Sequence, residues 1–467
     1  MFKKIEIWVL YLTILLGILF AIGFGALVRH EIYGGKGLKS INLGWISKSA
    51  LFLAEIPMNA KTILKGPSSV FLLEDRFPKL DGFNGTPNSE QSYLLLSRYD
   101  NNLSEGIVEL VDLKNFEILH TWNPDIDSFN ALVEKVDEFE HLDRDDNNQR
   151  KILAHPSITN NGGLLFGWDS PLRKIDACSN LVFQNTHDVF HHSIETDHDS
   201  NIWVSSHLYP QSIPARKVGR DMISYEEGGF LDDAIVKLSP DGKILYEKSV
   251  SQIFIDNGLE YLLFAVGESF SSARGDFNSD PIHLNDIQPV DFDGSYFKKG
   301  DIFLSLRHQS MVVLYRPSNN KIIWKGVGPF FHQHDVDILD DHRISIFNNN
   351  SKDFIDGDVV DGYNEVIIYD FKANKYFSYH KDSLEKNEVR TITQGRSEIL
   401  PNGDLFIEES NYGRTLYFNS DGSLRWTHVN RANDGNVYSV GWSRILYTKE
   451  EIQSVNNFLT NKGTCNE

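Results

Sequence analysis

Six segments of this chain repeat one pattern, and that repetition limits the possible folds more than any other feature. Each segment has an apolar strand, a turn built from Asp, Asn, Gly or Lys, and a second strand that often ends in an aromatic residue. The segments are 107–122, 172–184, 235–247, 312–326, 366–380 and 416–428. An Asp-Gly pair in the turn, as at 241–242 and 421–422, is a strong signal for a β-hairpin. The chain is therefore predicted to be largely β.

A second pattern precedes most of these hairpins and adds two strands to each unit. It occurs at 157–168, 193–206, 337–349 and 397–410. Six units of about four strands are typical of a six-bladed β-propeller, in which radial repetition leaves only short sheet edges exposed. The spacing is irregular, so some units carry insertions. Helices are predicted at 124–142, at 250–266 and, with a capping-box spacing, at 448–459.

The N-terminal stretch 6–28 differs from everything that follows. No charged residue occurs between Glu6 and position 28, and a membrane-spanning helix needs roughly 20 apolar residues. Lys3 and Lys4 precede the stretch, which places the N-terminus in the cytoplasm. An uncleaved anchor is favoured over a cleaved signal peptide, because the apolar run is long and no small-residue cleavage site follows. We expect a single-pass protein of the inner (cell) membrane, with its main domain on the periplasmic or extracytoplasmic side.

These patterns divide the chain into four parts. They are the anchor or signal segment 1–30, a juxtamembrane segment and lead-in 31–90, the propeller domain 91–447, and a C-terminal helix and tail 448–467. A formal net charge of −20 argues against a nucleic-acid partner. Two cysteines, Cys178 and Cys465, do not make a disulfide framework, and the sequence leaves open whether they pair.

Residues able to carry chemistry are concentrated in 281–349. This stretch contains His283, Arg307, His308, His332, His334 and His342. Histidine is the side chain that titrates near neutral pH without help, so such a group suits an anion or a proton transfer. Arg307 ends a predicted strand, where its guanidinium offers a rigid fork to a tetrahedral oxyanion such as sulfate or phosphate.

The predicted inner strands add candidates at equivalent positions of different repeats. Just ahead of the apolar part of these strands lie His155, His191, His192, Asn285, His334 and Arg396. Inner strands of a propeller begin at one end of the central channel. We therefore expect these residues to converge on one axis although they are far apart in the sequence.

The residues alone leave three interpretations open. One is an enzyme whose histidines and arginine act on an oxyanion. Another is a metal-dependent propeller that uses His192, His283, His334 and His155, since His332 and His334 also show a spacing that could bind a metal. The third is a catalytically silent propeller that binds a partner or an anion. The sequence contains no phosphate loop, no serine nucleophile elbow and no zinc-binding cysteine pair.

Five stretches of the chain form a set: HHSIETDHDSNIWV, DPIHLNDIQPV, GDIFLSLRHQSMVVLYRPSNNKIIWKGVG, FHQHDVDIL and QGRSEILPNGDLF. Taken together they resemble the PAPS-independent arylsulfotransferase family, whose members are exported enzymes built on a six-bladed propeller. The resemblance covers about residues 100–430. Two features depart from the family: the region before the repeats is short where well-known members carry a β-rich domain, and a close cysteine pair is missing.

The resemblance implies a ping-pong transfer of a sulfuryl group from an aryl sulfate ester to a phenolic or other hydroxyl acceptor through a sulfohistidine. It implies His334 as nucleophile, His283 and Arg307 as ligands of the sulfuryl oxygens, and His192 as the acid or base at the bridging oxygen. Substrate contacts are expected from His191, Asn285, His308, His332 and Arg396. No cofactor and no metal are expected. The expected partners are the small-molecule donor and acceptor and the membrane, while a homodimer is left open.

Overall fold

A computed structural model of the chain describes residues 6–32, 44–65, 67–213, 230–264, 280–354 and 357–461. The chain divides into two compact units, Met1–Val70 and Phe71–Glu467. The first unit consists of helices Ile7–Ile32 and Gly44–Lys65 and a 3₁₀ turn at Pro67–Val70. The part Ile7–Arg29 is long and apolar enough to cross a membrane, as a cleaved signal sequence also is. The choice between anchor and signal sequence stays a prediction.

Strands make up most of the second unit. In chain order they are β1 (Gly82–Gly85), β2 (Tyr93–Asp100), β3 (Glu105–Asp112), β4 (Glu117–Trp122), β5 (Ser157–Ile158), β6 (Leu164–Phe166), β7 (Ser170–Ile175), β8 (Leu181–Thr196), β9 (Ile202–His207), β10 (Asp233–Leu238), β11 (Ile244–Ser249), β12 (Leu284–Pro289), β13 (Ile302–Leu306), β14 (Met311–Arg316), β15 (Lys321–Val327), β16 (His334–Ile338), β17 (Arg343–Asn348), β18 (Ser351–Phe354), β19 (Gly357–Val360), β20 (Glu365–Asp370), β21 (Lys375–Tyr379), β22 (Arg396–Ile399), β23 (Leu405–Glu409), β24 (Arg414–Phe418), β25 (Leu424–Val429) and β26 (Arg444–Leu446). The helices are Ile126–Asn130, Leu142–Asp145, Val250–Asp256, Tyr261–Phe264, Lys381–Lys386 and Lys449–Asn461, with 3₁₀ turns at Asp137–Phe139, Pro317–Asn319 and Ser410–Tyr412.

Each of the six predicted hairpins forms an antiparallel pair. The pairs are β3–β4, β7–β8, β10–β11, β14–β15, β20–β21 and β24–β25. The second sequence pattern also forms as predicted, as the pairs β5–β6, β8–β9, β16–β17 and β22–β23. Strand β26 joins β2 near the start of the unit, with Tyr93 opposite Leu446. The prediction of an all-β, propeller-like fold is confirmed.

The repeats are not all separate sheets. The described strands form four-stranded sheets β26-β2-β3-β4, β12-β13-β14-β15 and β16-β17-β20-β21, a five-stranded sheet that includes β1, a pair β18-β19, and a seven-stranded sheet from β5 to β11. The seven-stranded sheet arises because β8 runs for 16 residues and serves as the last strand of one repeat and the first strand of the next. A count of six blades requires this sheet to be divided within β8, and it stays a prediction.

The apolar core lies between neighbouring sheets. One cluster joins Ile235 of β10 to Ile287 and Leu304 of the following sheet, and helix Val250–Asp256 packs on it. Another joins Trp122 of β4 to Phe166 of β6. Buried carboxylates add repeated links: Asp286 accepts the backbone N–H of Val336 at 2.7 Å, and Asp335 accepts that of Ser397 at 2.9 Å. These contacts fix the spacing of successive inner strands.

The predicted helix 124–142 is wrong as a single element. The chain forms helix Ile126–Asn130 and resumes helical structure only at Asp137–Phe139 and Leu142–Asp145. The chain folds back between these pieces: Asn130 donates to the carbonyls of Leu142 and Asp146, which would lie about 18 to 24 Å away along one continuous helix. Gln184 also donates to the carbonyl of Phe129.

The other two predicted helices form in part or in full. Helix Val250–Asp256 ends before Gly258, which has a φ of +74°, and residues 265–266 of the predicted helix lie outside the described part of the chain. The capping box of Lys449–Asn461 is confirmed. Thr448 Oγ accepts the N–H of Glu451, and Glu451 accepts the N–H of Thr448.

Cys178 does not occupy a strand. It is exposed in the turn between β7 and β8 and is disulfide-bonded, and Cys465, the second cysteine of the chain, lies outside the described residues.

Candidate active site

The chain enters its inner strands through an unusual backbone conformation. Non-glycine residues with positive φ lie at these entrances, namely His155 (52°), His192 (55°), His283 (55°), His332 (49°), Asp335 (49°), Gln394 (57°) and Trp442 (61°). The strand register also shifts at three of the entrances, between His191 and Ile194, between Leu284 and Asp286, and between His334 and Val336. Such bulges turn side chains away from the regular strand direction, and strained backbone of this kind collects at functional sites.

These entrances bring the predicted histidines together. The ring centroids are 6.2 Å apart for His155 and His192, 5.0 Å for His192 and His283, 4.4 Å for His283 and His308, and 6.1 Å for His308 and His332. Five histidines are thereby brought together, whereas the convergence of the whole predicted set, with His334, Asn285 and Arg396, on one axis stays a prediction. His342 lies elsewhere, in the β16–β17 turn, where it contacts Asp341.

His334 is the first residue of β16 and is 1% exposed. Its Nδ1 lies 2.7 Å from Oδ1 of Asn349, and its Nε2 accepts the backbone N–H of Gln394 at 3.1 Å. Because an amide oxygen only accepts hydrogen bonds, Nδ1 carries the proton and Nε2 carries the lone pair. Burial lowers the pKa of His334 well below its usual range, and the charge of Arg307 lowers it further. The imidazole is neutral at physiological pH.

Arg307 directly follows β13 and is 7% exposed. Its backbone N–H donates to the carbonyl of His283, and its Nη2 lies 3.4 Å from Oδ2 of Asp358. The nearby His332 has its pKa lowered to about 4 by burial and by the Arg307 charge. Arg307 therefore keeps its positive charge beside a neutral His332, and an anion in the site would compete with Asp358 for that charge.

His283 and His308 are both held by Asp280. His283 Nδ1 lies 2.6 Å from the Asp280 carboxylate, so Nδ1 carries a proton and Nε2 is left for a ligand. His308 Nδ1 lies 2.6 Å from the Asp280 carbonyl oxygen and donates to it. Burial lowers the pKa of His308, and His283 lowers it further.

His191 and His192 contact each other through their Nδ1 atoms, which are 2.7 Å apart. Burial lowers the pKa of His192 well below its usual range, with His191 as the next cause. His191 is 2% exposed, and its Nε2 lies 3.2 Å from Oδ1 of Asp233. Of the two, His192 is the one that faces the other site histidines.

Asn285 and Arg396 are buried near the same strand entrances. Asn285 donates to the carbonyl of Gln333 at 2.8 Å, which links two inner strands. Arg396 is 3% exposed, and its Nη2 lies 3.4 Å from Glu398 and 3.8 Å from Asp335. Its Nε and Nη1 have no hydrogen-bond partner among the described residues. Arg396 also lies over the ring of Trp442, 5.9 Å from its centroid.

Several side chains of the site were not predicted. Asn349 and the Gln394 backbone hold His334, Asp280 holds His283, and Trp168 lies 5.0 Å from His192 between ring centroids. The signal for Asn349 was weak, because the run Asn348–Asn350 has the composition of an ordinary turn. Asp280 could have been found from its position three residues before His283.

The metal-site interpretation finds limited geometric support. Among the described residues, three groups of potential ligands contain a histidine of the site region: His191–His207–Asp233, Asp280–His283–His308 and His332–Asp353–Asp358. None of these groups contains His192, His334 or His155. The structure therefore does not assemble the four ligands named by that interpretation.

The fold and the site define a propeller-like protein with a group of histidines and two buried arginines, Arg307 and Arg396, a centre suited to an oxyanion. The family model described as arylsulfotransferase (ASST) matches residues 155–431, which is more than half of the chain. The chain belongs to the arylsulfotransferase family.

Solved structures resemble the chain at low identity. A protein of unknown function from Bacteroides caccae is 13% identical with a TM-score of 0.42, covering 73% of this chain and 94% of its own. Hydrazine synthase from Kuenenia stuttgartiensis is 12% identical with a TM-score of 0.38, covering 68% and 71%. The WD40 β-propeller domain of Doa1 is 11% identical with a TM-score of 0.37, covering 82% and 98%. No curated protein sequence matches the chain.

Proposed function

We propose that this arylsulfotransferase-family protein transfers a sulfuryl group in two steps, with His334 as the group that is transiently sulfated. Membership of the family supports an enzyme that acts on a small-molecule donor and acceptor. The single observation that carries the residue assignment is the fixed tautomer of His334. Asn349 holds the proton on Nδ1, so the Nε2 lone pair is available for attack once the substrate displaces the Gln394 N–H.

In the first step Nε2 of His334 attacks the sulfur of an aryl sulfate. The S–N bond forms, the bond from sulfur to the aryl oxygen breaks, and the phenolate leaves with the electron pair. In this step His192 acts as the imidazolium, with a second proton taken up from solvent at Nε2 before the reaction, and it gives that proton to the leaving oxygen and becomes neutral. Arg307 and a doubly protonated His283, whose Nδ1–H is held by the Asp280 carboxylate, stabilise the negative charge on the sulfuryl oxygens in a site shielded from water.

In the second step a phenolic or other hydroxyl acceptor attacks the sulfur of the sulfohistidine. His192 takes the proton of the acceptor, the S–N bond breaks, and its electron pair returns to Nε2 of His334. Asn285, His308, His332 and Arg396 complete the wall of the site and contact the substrate. Each protein group ends in its starting state, so the cycle needs no cofactor.

The test uses the full chain in detergent with 4-nitrophenyl sulfate, a chelator, and phenol present or absent. We expect nitrophenol release that depends on phenol, and mass spectrometry of the enzyme treated with donor alone should find one sulfuryl group on His334. His334→Asn should abolish both, while His342→Asn, a change of an exposed histidine at the other end of β16, should leave both unchanged. Normal turnover by the His334→Asn variant would refute the assignment.

We also propose that Ile7–Arg29 is an uncleaved anchor in the inner membrane and that the second unit lies on the periplasmic side. The length and composition of the helix and the preceding Lys3 and Lys4 support this topology. Protease added to intact spheroplasts should digest the second unit. Protection of that unit, or its release as a soluble protein shortened at the N-terminus, would contradict the proposal.

A further inference from the structure

We propose that Asp233 and His191 are positioning residues that hold His192 in the one tautomer able to exchange a proton with the substrate through Nε2. The proposal rests on the proposed sulfuryl transfer and gives that site a three-residue relay, Asp233–His191–His192. His191 and His192 come from β8 and Asp233 comes from β10, the two strands on either side of β9. The proposal predicts that substrates with a strongly basic leaving oxygen depend most on the relay.

The contacts form a continuous line from a carboxylate to the active site. Asp233 is fully buried, and its Oδ2 accepts the backbone N–H of Leu284 at 3.0 Å, which fixes the carboxylate. Its Oδ1 lies 3.2 Å from Nε2 of His191, at an angle poorer than that of a normal hydrogen bond. Nδ1 of His191 then lies 2.7 Å from Nδ1 of His192. Catalytic hydrogen bonds are often long or misaligned before substrate binds.

The charges along this line determine where the protons lie. A carboxylate attracts an N–H and repels a nitrogen lone pair, so His191 carries its proton on Nε2. Burial keeps His191 neutral by lowering its pKa, and its Nδ1 is then a lone pair that accepts a hydrogen bond. The hydroxyl of Ser205 donates to the carbonyl of His191 at 2.6 Å, so the donor to Nδ1 is His192. His192 therefore has its own proton on Nδ1, and Nε2 is left to meet the substrate.

Asp233 also faces a second histidine. His207 stacks on His191 with ring centroids 4.0 Å apart and an interplanar angle of 28°, and its Nε2 lies 3.4 Å from the same oxygen of Asp233. A carboxylate oxygen accepts hydrogen bonds over a broad range of directions and can serve both rings.

During the reaction the relay acts on the charge of His192. When His192 takes the acceptor proton on Nε2, it becomes an imidazolium that donates Nδ1–H to His191, and the negative charge of Asp233 stabilises it through His191. When His192 returns a proton to a leaving phenolate, the same charge is lost. The relay therefore matters most where the leaving oxygen is strongly basic and needs that proton.

The experiment measures the donor half-reaction of the full chain with a series of aryl sulfates, from 4-nitrophenyl sulfate to phenyl and 4-methoxyphenyl sulfate. Asp233→Asn keeps an acceptor for the Leu284 N–H, and His191→Asn keeps an acceptor near the Nδ1 position but cannot reach Asp233. For both variants we expect a loss of about a hundredfold with the poor leaving groups and less than about threefold with 4-nitrophenyl sulfate. An equal loss across the series would overturn the proposal.

Two controls separate positioning from damage to the fold. Asp232→Asn changes the adjacent buried aspartate, whose carboxylate accepts from Ser212 and Ser249 and contacts no imidazole of the site, and it should leave the leaving-group dependence unchanged. In a His192→Ala background, Asp233→Asn should not lower the rate of the donor half-reaction with phenyl sulfate any further. If the two changes lower that rate additively, Asp233 does not act through His192.

A spectroscopic readout keeps the relay distinct from the proposed function. Proteins labelled with ¹⁵N-histidine should show Nδ1-protonated His192, and Asp233→Asn should change that signal. If the wild type transfers no sulfuryl group but the signal behaves in this way, the proposed function fails and the relay stands. If transfer occurs and the signal is the same in both proteins, the relay is wrong.

Discussion

Nδ1 of His334 lies 2.7 Å from Oδ1 of Asn349, and the amide of Asn349 cannot turn round. Its nitrogen donates to the carbonyls of Thr391 and Gln394, at 3.2 and 2.8 Å, and the Gln394 backbone also contacts the other side of the His334 ring. The amide oxygen is therefore fixed towards the imidazole. A residue outside the reacting atoms thus decides which nitrogen of His334 carries the lone pair.

Replacing Asn349 by alanine should slow the formation of the sulfohistidine about tenfold to a hundredfold, because His334 loses both its tautomer and its orientation. Rapid-quench measurement of sulfuryl incorporation at His334 checks this. Asn320→Ala, at a left-handed turn residue on the β14–β15 hairpin, controls for the loss of an asparagine from the same unit. A variant that is destabilised but reacts at the normal rate while folded would contradict the positioning role.

The acid limb of the first half-reaction should lie well below pH 6.5. Burial, and then the charge of Arg307, lowers the pKa of His334, so the neutral nucleophile still predominates where an ordinary histidine would be protonated. Between pH 7 and 5.5 an ordinary histidine would lose on the order of tenfold in its neutral form. With 4-nitrophenyl sulfate, whose leaving group needs little proton donation, single-turnover rates should stay level over this range. A fall that titrates near pH 6.5 would show that His334 is exposed to water or is not the nucleophile.

The fold was largely predictable because its signals are local. Turn residues such as Asp241 and Gly242, placed between alternating apolar residues, specify a hairpin whatever surrounds them. The exceptions depend on distant contacts. The 16-residue β8 merges two repeats, and the helix predicted at 124–142 breaks where the chain folds back and Asn130 donates to the carbonyl of Leu142.

The site was predictable only at the level of the repeat. His192, Asn285 and His334 stand at equivalent positions ahead of inner strands, and a repeat alignment predicts that they lie on one axis. The residues that hold them follow no such rule. Asn349 and Asp233 reach the site because left-handed residues and bulges at the strand entrances turn the histidines towards them, and no sequence pattern marks that backbone conformation.

Arg307→Lys should reduce sulfohistidine formation by about a hundredfold to a thousandfold. The guanidinium presents a planar fork to two sulfuryl oxygens, whereas an ammonium offers one point charge on a flexible chain, and the loss of one such donor to a developing oxyanion has about this effect. The loss of rate in the Arg307→Lys variant should appear mainly as a lower kcat. Arg316→Lys changes an arginine of the neighbouring strand that pairs with Asp301 instead, and it should leave the rate unchanged. Equal effects of the two changes would mean that Arg307 serves only the fold.

Asp286→Asn should make the second unit more stable, and the gain should increase with pH. Burial raises the pKa of Asp286 to about 8, with the nearby Asp335 and Glu195 as further causes, whereas the same carboxyl in the unfolded chain titrates near 4. Between these values the folded chain holds a proton that the unfolded chain has released, so the wild type loses up to about 1.4 kcal/mol per pH unit from this group as the pH rises. Asparagine does not titrate, so it removes this pH-dependent loss of stability, and it can still accept the Val336 N–H.

Urea midpoints followed by tryptophan fluorescence at pH 5 and pH 8 measure the difference in stability between the variant and the wild type. The exposed change Asp382→Asn is the control, since it removes the same charge without burial. Parallel pH dependence of the Asp286→Asn variant and the wild type would mean that Asp286 is ionised in the folded protein.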